Sequence, residues 1–430
     1  MDDDDVTRRG FLAGTAGAAA VAAVAGSTPA AQASTRLQVS KLPTPGKSGI
    51  DHIVVVMMEN RSFDHYLGWL PGADGRQAGL TFTDSGGATH ATHHLTVPYG
   101  CGFNDPDHSY EGGRVEFNKG ACDGWLRAGS NDVFSIGYFK GPDLGFYGHA
   151  ARDWTVCDRY FAAILSSTFP NRIFQHAAQT DRVSNTFTIS QLTTIWDRLA
   201  QARVSAKYYY SDVPFTALWG LKHLDISHQI SQFYADAKAG TLPAVSFVEP
   251  GFVGEAIPGL SEDEHPLADI RLGQHFLGKV YEAVTTSPNW PRTALIINYD
   301  EWGGFFDHVP PPAGPDPRPD LGTEGTGQRG FRVPCLVISP RSRRGAIAHE
   351  VYDHTSVLKM IEWRHGLAPL SVRDAAARNL AEVLDFTGKP NLKAPKYNVP
   401  APVTLGCLVP EHAHHGDDWA DLAAYVAKHW

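Results

Sequence analysis

The stretch that decides the fold lies at residues 51–68 and reads DHIVVVMMENRSFDHYLG. Its six apolar residues, 53–58, are followed at once by the polar residues Glu59 and Asn60. A short, continuously apolar run is typical of a parallel strand that is buried on both faces. The polar end is compatible with a surface loop, and equally with a site built at the end of that strand.

The same pattern recurs along the chain and indicates the fold class. Further candidate strands lie at residues 244–248, 294–299 and 335–339, and helical patterns lie at residues 172–180, 193–202, 270–286 and 355–365. Alternating strands and helices predict an α/β fold, an open and mostly parallel sheet with helices on both faces. Residues 72–145 and 302–330 have weak periodicity, and they predict long loop insertions over the active-site end of the sheet.

Composition limits the possible functions. The chain has 430 residues, of which 43% are hydrophobic and 19% are charged, so it contains enough apolar material for a large core. The formal net charge of -9 gives no support to nucleic-acid binding.

The N-terminus has the pattern of an export signal. Arg8 and Arg9 precede an Ala/Gly/Val-rich run at residues 11–26, and small residues follow at 31 and 33. We predict a twin-arginine signal peptide at residues 1–33, the export machinery as a partner, and a single catalytic domain at residues 34–430. A disordered alanine-rich tail is the alternative. The run is shorter than the roughly 20 strongly apolar residues of a membrane span. We therefore expect a secreted or cell-envelope protein without a transmembrane segment.

The five cysteines have no metal-ligand spacing. Export would permit disulfides, and Cys101 with Cys122 is the first pair to test. Cys157 and Cys335 lie in apolar surroundings and are expected to be buried.

A second polar pair, Asp300 and Glu301, follows the candidate strand at residues 294–299. In an open α/β sheet, ligands bind outside the carboxyl ends of the strands. If the strands are neighbours, the oxygens of Glu59, Asn60, Asp300 and Glu301 converge there. Such oxygens suit one divalent cation of the calcium, magnesium or manganese type. Ordinary polar residues at the start of surface loops are the alternative.

Thr168 lies two residues before Pro170, and proline favours the first turn of a helix. At a helix N-terminus the threonine could meet a phosphate and act as a nucleophile. The helix pattern alone favours a capping role over catalysis. His108 and His265 lie in polar loops, where an imidazole could bind a phosphate oxygen or protonate a leaving group. Because the chain has 20 histidines, a structural role is the simpler explanation for either one.

Taken together, these motifs resemble the bacterial phosphoesterase family that contains secreted phospholipases C and a related acid phosphatase, within the alkaline-phosphatase-like superfamily. The matching stretches include ENRSFDH from Glu59, DPDHSYE from Asp105, TFPNR from Thr168, DEHPLADIRLG from Asp263 and NYDEWGGFFDHVPPP from Asn298. They span most of the chain in family order. The resemblance implies an alkaline-phosphatase-like fold and metal-dependent hydrolysis of phosphate esters.

The resemblance also implies roles for particular residues. The metal ligands it implies are Glu59, Asn60, Asp300, Glu301 and the nucleophile Thr168, while His108, His265 and Asp212 surround the phosphate. Trp302 follows the YDE motif where relatives often carry histidine, so we expect a change at the pocket rim. The rim could also bind a choline group by cation–π contact with Trp125, Phe139 or Tyr147, although packing explains these aromatic residues equally well.

The predicted function is an exported phospholipase C that hydrolyses phosphodiesters such as phosphatidylcholine through a phospho-threonine intermediate. Its substrate is a phospholipid or a small phosphate ester. An acid phosphatase acting on phosphomonoesters is the first alternative. A non-catalytic binding protein on the same scaffold is the second.

Overall fold

The computed structural model describes residues 37–252, 260–404 and 419–430, in which short strands and helices alternate. The strands are β1 (His52–Met58), β2 (Thr81–Thr83), β3 (Thr89–Ala91), β4 (His93–His94), β5 (Gly137–Tyr138), β6 (Thr155–Cys157), β7 (Tyr160–Phe161), β8 (Ala206–Tyr210), β9 (Ser227–Gln229), β10 (Val245–Val248), β11 (Thr293–Tyr299), β12 (Cys335–Ile338), β13 (Ile347–Ala348) and β14 (Tyr352–Asp353). The helices are α1 (Phe63–Leu67), α2 (Tyr110–Phe117), α3 (Tyr147–Asp153), α4 (Thr168–Ala177), α5 (Ile195–Gln201), α6 (Ile230–Ala239), α7 (Ile270–Thr286), α8 (His354–His365), α9 (Val372–Ala376) and α10 (Ala420–His429). The predicted signal peptide at residues 1–33 lies outside the described residues, so the predicted export and domain boundary stay predictions.

Eight strands form the central sheet, in the order β13-β6-β12-β11-β1-β10-β8-β9. The strand β1 lies between β11 and β10 and is parallel to both. Val54, Val55 and Val56 of β1 have no exposed surface. Burying one such side chain stabilises the fold by about 1.5–3 kcal/mol. The prediction of an α/β fold with a mostly parallel sheet is confirmed.

One predicted strand has the opposite direction. The prediction that residues 335–339 form another parallel strand is wrong, because β12 is antiparallel to both β11 and β6. No helix interrupts the segment between β11 and β12. The chain therefore stays at the carboxyl edge of β11 and re-enters the sheet from that edge, whereas a parallel neighbour would need a crossover.

Two groups of helices pack with the sheet. The helices α5 and α8 both contact α4, and α6 contacts α7. The helix α7 begins and ends where the sequence predicts, and it buries Phe276, Val280 and Val284, which share one face at a spacing of four residues. Among the described residues, no helix combines the length and apolar character that a membrane span requires.

The two predicted insertions differ in content. Residues 302–330 contain no helix or strand, as expected for a long loop. Residues 72–145 contain a short hairpin, formed by β2 and β3, and the helix α2, which the sequence analysis did not predict.

The cysteine pairing differs from the prediction. Cys101 is disulfide-bonded, but Cys122 is a buried free thiol, so the proposed pair is wrong. Cys157 and Cys335 are free and fully buried, as expected. Cys407 lies outside the described residues. Burial raises the pKa of the Cys122 thiol to about 12, which makes it unreactive in the folded chain.

Alkylation tests this pairing. When the protein is unfolded in guanidinium chloride without reductant and treated with iodoacetamide, we expect peptide mapping to find modified Cys122, Cys157 and Cys335. Cys101 should be modified only after reduction. An unmodified Cys122 before reduction would show that it is disulfide-bonded and contradict the structure.

Candidate active site

The two predicted ligand pairs meet at the carboxyl edge of the sheet. The strands β1 and β11 are parallel neighbours, and their last residues pair in register. Glu59 and Asn60 follow one strand, Asp300 and Glu301 follow the other, and all of these residues are buried. The backbone N–H of Asn60 donates a hydrogen bond to Asp300 Oδ1 at 3.1 Å. The strand register therefore brings the two distant pairs together.

A close backbone approach fixes the loop between these pairs. Asn60 has a left-handed backbone with φ 63°, a conformation that asparagine adopts more readily than most residues. Gly303 also has positive φ, and a Cβ atom there would lie 2.1 Å from the Asn60 carbonyl oxygen. The Gly303 N–H donates to Glu301 Oε2 at 2.7 Å. Only glycine permits the close approach of residue 303 to the Asn60 carbonyl. Gly303 thereby holds the Glu301 side chain next to the Asn60 segment.

Thr168 is the first residue of α4, and its side chain points to the ligand cluster. Its Oγ1 donates to Asn60 Oδ1 across 3.4 Å. Ser167 occupies the N-cap position without a side-chain capping bond. The backbone N–H of Phe169, which follows Thr168, donates to Asn185 Oδ1 at 2.7 Å. The Thr168 hydroxyl thus contacts a candidate metal ligand and does not cap its own helix.

His108 lies on the other side of Asn60. Its Nδ1 donates to the Pro106 carbonyl at 2.8 Å, so in the neutral ring Nε2 is an acceptor. That Nε2 lies 3.4 Å from Asn60 Nδ2 and 3.9 Å from Glu301 Oε1. His108 therefore borders the ligand cluster directly.

His265 lies next to His108. The two ring centres are 5.7 Å apart with nearly perpendicular planes. His265 Nε2 is 3.8 Å from Asp105 Oδ2, and its backbone N–H donates to Asp263 Oδ1 at 2.8 Å. The structure thus brings both predicted histidines to one site.

Asp212 follows β8 at the same edge of the sheet. Its Oδ1 accepts hydrogen bonds from the backbone N–H groups of Val213 at 2.6 Å and Phe252 at 3.1 Å. The Phe252 ring in turn lies 4.8 Å from the Arg172 guanidinium. These contacts describe a loop anchor, and a role of Asp212 in substrate binding stays a prediction.

Arg172 is a central residue that the sequence analysis missed. Its side chain is fully buried and donates to Glu59 Oε1 at 3.0 Å, to Asp300 Oδ2 at 3.2 Å and to Glu249 Oε2 at 2.5 Å. Burial alone would lower the pKa of the Arg172 guanidinium, but these three carboxylates raise it above its usual value. One guanidinium therefore orients two candidate metal ligands.

Glu249 had a detectable signal in the sequence. It directly follows β10, as Glu59 follows β1 and Asp300 follows β11. An acidic residue at the end of a third apolar run is the same pattern that identified the other two. The strand-end pattern does not mark Arg172, which is the last residue of the TFPNR stretch, and a charged residue in a helix is normally exposed.

The donor set fits a hard divalent cation. Burial raises the pKa of Asp300 to about 6, and burial together with the Asp300 charge raises the pKa of Glu301 well above its usual range. Among the described residues, the buried Glu301 Oε1 has no hydrogen-bond partner. A crowded group of carboxylates with an oxygen left for bonding is the environment that calcium, magnesium or manganese requires.

A second acidic cluster, formed by Asp64, Asp307 and His308, has possible ligand atoms within 4.8 Å of one another. However, the buried Arg332 donates to Asp307 Oδ1 at 2.9 Å and to Asp64 Oδ1 at 3.1 Å. Backbone N–H groups and His308 occupy further lone pairs of these carboxylates. A guanidinium already supplies the positive charge there, so we interpret this cluster as a structural clamp between the two segments that carry the ligand pairs.

The aromatic residues considered for the pocket rim lie in the interior. Trp302 is fully buried, and its Nε1 donates to Glu116 Oε2 at 2.7 Å, so the expected change at the pocket rim stays a prediction. Trp125, Phe139 and Tyr147 are also buried, which leaves no ring face for a choline group. Packing accounts for all of these aromatic residues.

Comparison with known proteins identifies the family of this chain. Residues 50–368 match the model of the Phosphoesterase family. The chain therefore belongs to the phosphoesterase family, and it is an enzyme of the ester-hydrolase class.

Two curated relatives are similar over most of their length. Phospholipase C B of Mycobacterium tuberculosis (strain CDC 1551 / Oshkosh) is 34% identical over 83% of this chain and 82% of that protein. Non-specific phospholipase C1 of Arabidopsis thaliana is 32% identical over 83% of this chain and 75% of that protein. Among solved structures, an alkaline phosphatase superfamily protein from Vibrio parahaemolyticus aligns over 82% of this chain and 74% of its own, with 10% identity and a TM-score of 0.39.

Removing the Arg172 charge tests the carboxylate cluster. We expect Arg172→Met, measured by urea unfolding with EDTA present, to lose about 3–5 kcal/mol of stability, because buried carboxylates lose their counter-charge. The control is Arg378→Met, because the Arg378 guanidinium forms a partly exposed pair with Glu382 at 2.8 Å. That change should cost about 0–1 kcal/mol. Equal stability of the two variants would contradict our assignment.

Proposed function

We propose that this chain is an exported, metal-dependent phospholipase C that hydrolyses phosphodiesters such as phosphatidylcholine through a phospho-threonine intermediate. The observation that carries the proposal is the position of Thr168. Its hydroxyl lies at a helix N-terminus, 3.4 Å from Asn60 Oδ1, beside buried carboxylates and two histidines. Relatives named phospholipase C support the choice of reaction.

The metal would be held by oxygen atoms from Glu59, Asn60, Thr168, Asp300 and Glu301. When bound, such an ion lowers the pKa of a coordinated hydroxyl and stabilises negative charge on phosphate oxygens. Arg172 would keep Glu59 and Asp300 oriented for this purpose.

In the first step, Thr168 Oγ1, which has already lost its proton to solvent, forms a bond to phosphorus while the bond from phosphorus to the diacylglycerol oxygen breaks. His265 donates a proton to that leaving oxygen, and the Asp105 carboxylate stabilises the positive charge that His265 carries beforehand. His108, in its protonated form, donates its Nε2–H to a phosphate oxygen. In the second step, the now neutral His265 accepts a proton from the water that attacks phosphorus, the bond from phosphorus to Thr168 breaks to return the threonine alkoxide, and phosphocholine leaves.

Exposed apolar residues near His265 favour a lipid diester over a small monoester. Val97 is 39% exposed, Tyr99 is 38% exposed and Leu260 is 38% exposed. Pro98, between the first two, accepts a hydrogen bond from the Ile270 N–H at 2.9 Å, which places this segment beside the loop that carries His265. Acyl chains match such a surface, whereas a phosphomonoester dianion would favour basic residues.

Replacement of the nucleophile tests the mechanism. We expect Thr168→Ala to lower kcat by about 10³-fold or more on both 4-nitrophenyl phosphate and 4-nitrophenyl phosphorylcholine. Thr168→Ser keeps a hydroxyl and should retain measurable activity. Higher wild-type kcat/KM on the monoester would identify a phosphatase, and an inactive wild type would favour the non-catalytic alternative. Full activity of Thr168→Ala would contradict the phospho-threonine mechanism.

Metal removal provides a separate test. Treatment with EDTA should abolish diester hydrolysis, and calcium, magnesium or manganese should restore it. An ion at 100 times its Kd should stabilise the folded chain by about 2.7 kcal/mol. Glu301→Gln should weaken this stabilisation, whereas Glu282→Gln, an exposed change on α7, should retain it. Unchanged activity in EDTA would exclude a dissociable metal from the mechanism.

A further inference from the structure

The loop that carries His265 has an unusual backbone. Glu264, directly before this histidine, has φ 75° and is fully buried. A non-glycine residue rarely adopts this conformation, which persists only when the surrounding structure holds the residue there. The contacts of Glu264 must therefore hold its backbone in this conformation.

The side chain of Glu264 is anchored on two sides. Gln274 Nε2 donates to its Oε1 at 2.7 Å, and the Tyr299 hydroxyl donates to its Oε2. A Cβ atom on Gly273 would lie 2.2 Å from Glu264 Cγ, so glycine at that position makes room for the anchored side chain. The carboxyl group of Glu264 is thus bound to Tyr299 of β11 and to Gln274 of α7.

Arg61 holds the backbone of the same loop. Its Nε donates to the Glu264 carbonyl at 2.7 Å, and its second terminal nitrogen donates to the carbonyls of His265 at 3.1 Å and Pro266 at 3.3 Å. Arg61 follows Asn60 in the chain. The position of His265 is therefore coupled to the segment that carries the first candidate metal ligands.

From this geometry we propose that Glu264 and Arg61 are positioning residues that fix the His265 ring where it can protonate the leaving oxygen. This inference rests on the proposed function. Neither residue needs to touch substrate, because each acts through the loop backbone. A purely structural role would slow all substrates equally, whereas a positioning role for a general acid affects mainly substrates whose leaving group needs a proton.

Leaving-group dependence separates these two roles. Phosphatidylcholine in mixed micelles has a poor alkoxide leaving group, and 4-nitrophenyl phosphorylcholine releases a stabilised phenolate. We test Glu264→Gly, which tolerates positive φ but removes the anchor. We expect kcat on phosphatidylcholine to fall by about 10²-fold, with a fall below about fivefold on the nitrophenyl ester. His265→Ala should have the same selectivity, and Glu282→Gln should be unchanged on both substrates.

The outcomes distinguish this inference from the proposed function. Equal losses on both substrates for Glu264→Gly, with selective loss for His265→Ala, would overturn the positioning role alone. Equal losses for His265→Ala would remove His265 as the general acid and overturn the inference with it, while Thr168→Ala still tests the nucleophile. If Glu264→Gly does not fold, Arg61→Lys replaces it as the test, because lysine keeps the charge but cannot bind the three loop carbonyls together. The positioning role then requires that kcat falls more on phosphatidylcholine than on the nitrophenyl ester.

Discussion

The central constraint in this molecule is the concentration of buried negative charge where β1, β10 and β11 end. Parallel register places Glu59, Glu249 and Asp300 at one edge of the sheet, with Glu301 directly after. Buried carboxylates are costly unless cations compensate them. Arg172 contacts the first three of these groups. A divalent ion bound to the remaining oxygens would neutralise the rest of this negative charge. The same ion would then stabilise the fold and take part in the proposed reaction.

Two buried arginines connect the loops around this edge of the sheet by hydrogen bonds. Arg332 ties the segment after Asn60 to the segment after Glu301 through Asp64 and Asp307. Arg61 ties the same first segment to the loop of His265. Long loops normally leave catalytic groups mobile. Here buried guanidinium groups bind loop carboxylates and carbonyls, so a site assembled from distant segments acquires a defined geometry.

The sequence predicted the parts of the structure that depend on local pattern. Apolar runs located β1, β10 and β11, and the polar residues after two of them predicted that Glu59 and Asp300 lie together at one edge of the sheet. The direction of β12 could not be read from its apolar residues, because it depends on the path of the preceding loop. The roles of Arg172 and the burial of Trp302 were missed for a related reason: both depend on tertiary partners, here Glu249 and Glu116, that no local pattern identifies. Cysteine pairing likewise depends on distances in the fold.

Anomalous diffraction from crystals soaked in Mn²⁺ tests the central claim most directly. We predict one strong peak within about 2.0–2.6 Å of oxygens from Glu59, Asn60, Asp300 and Glu301, the range of hard-cation bonds. The Thr168 hydroxyl should lie beside the same ion. A peak between Asp64, Asp307 and His308 with none at Glu59 would contradict the assignment of the active site.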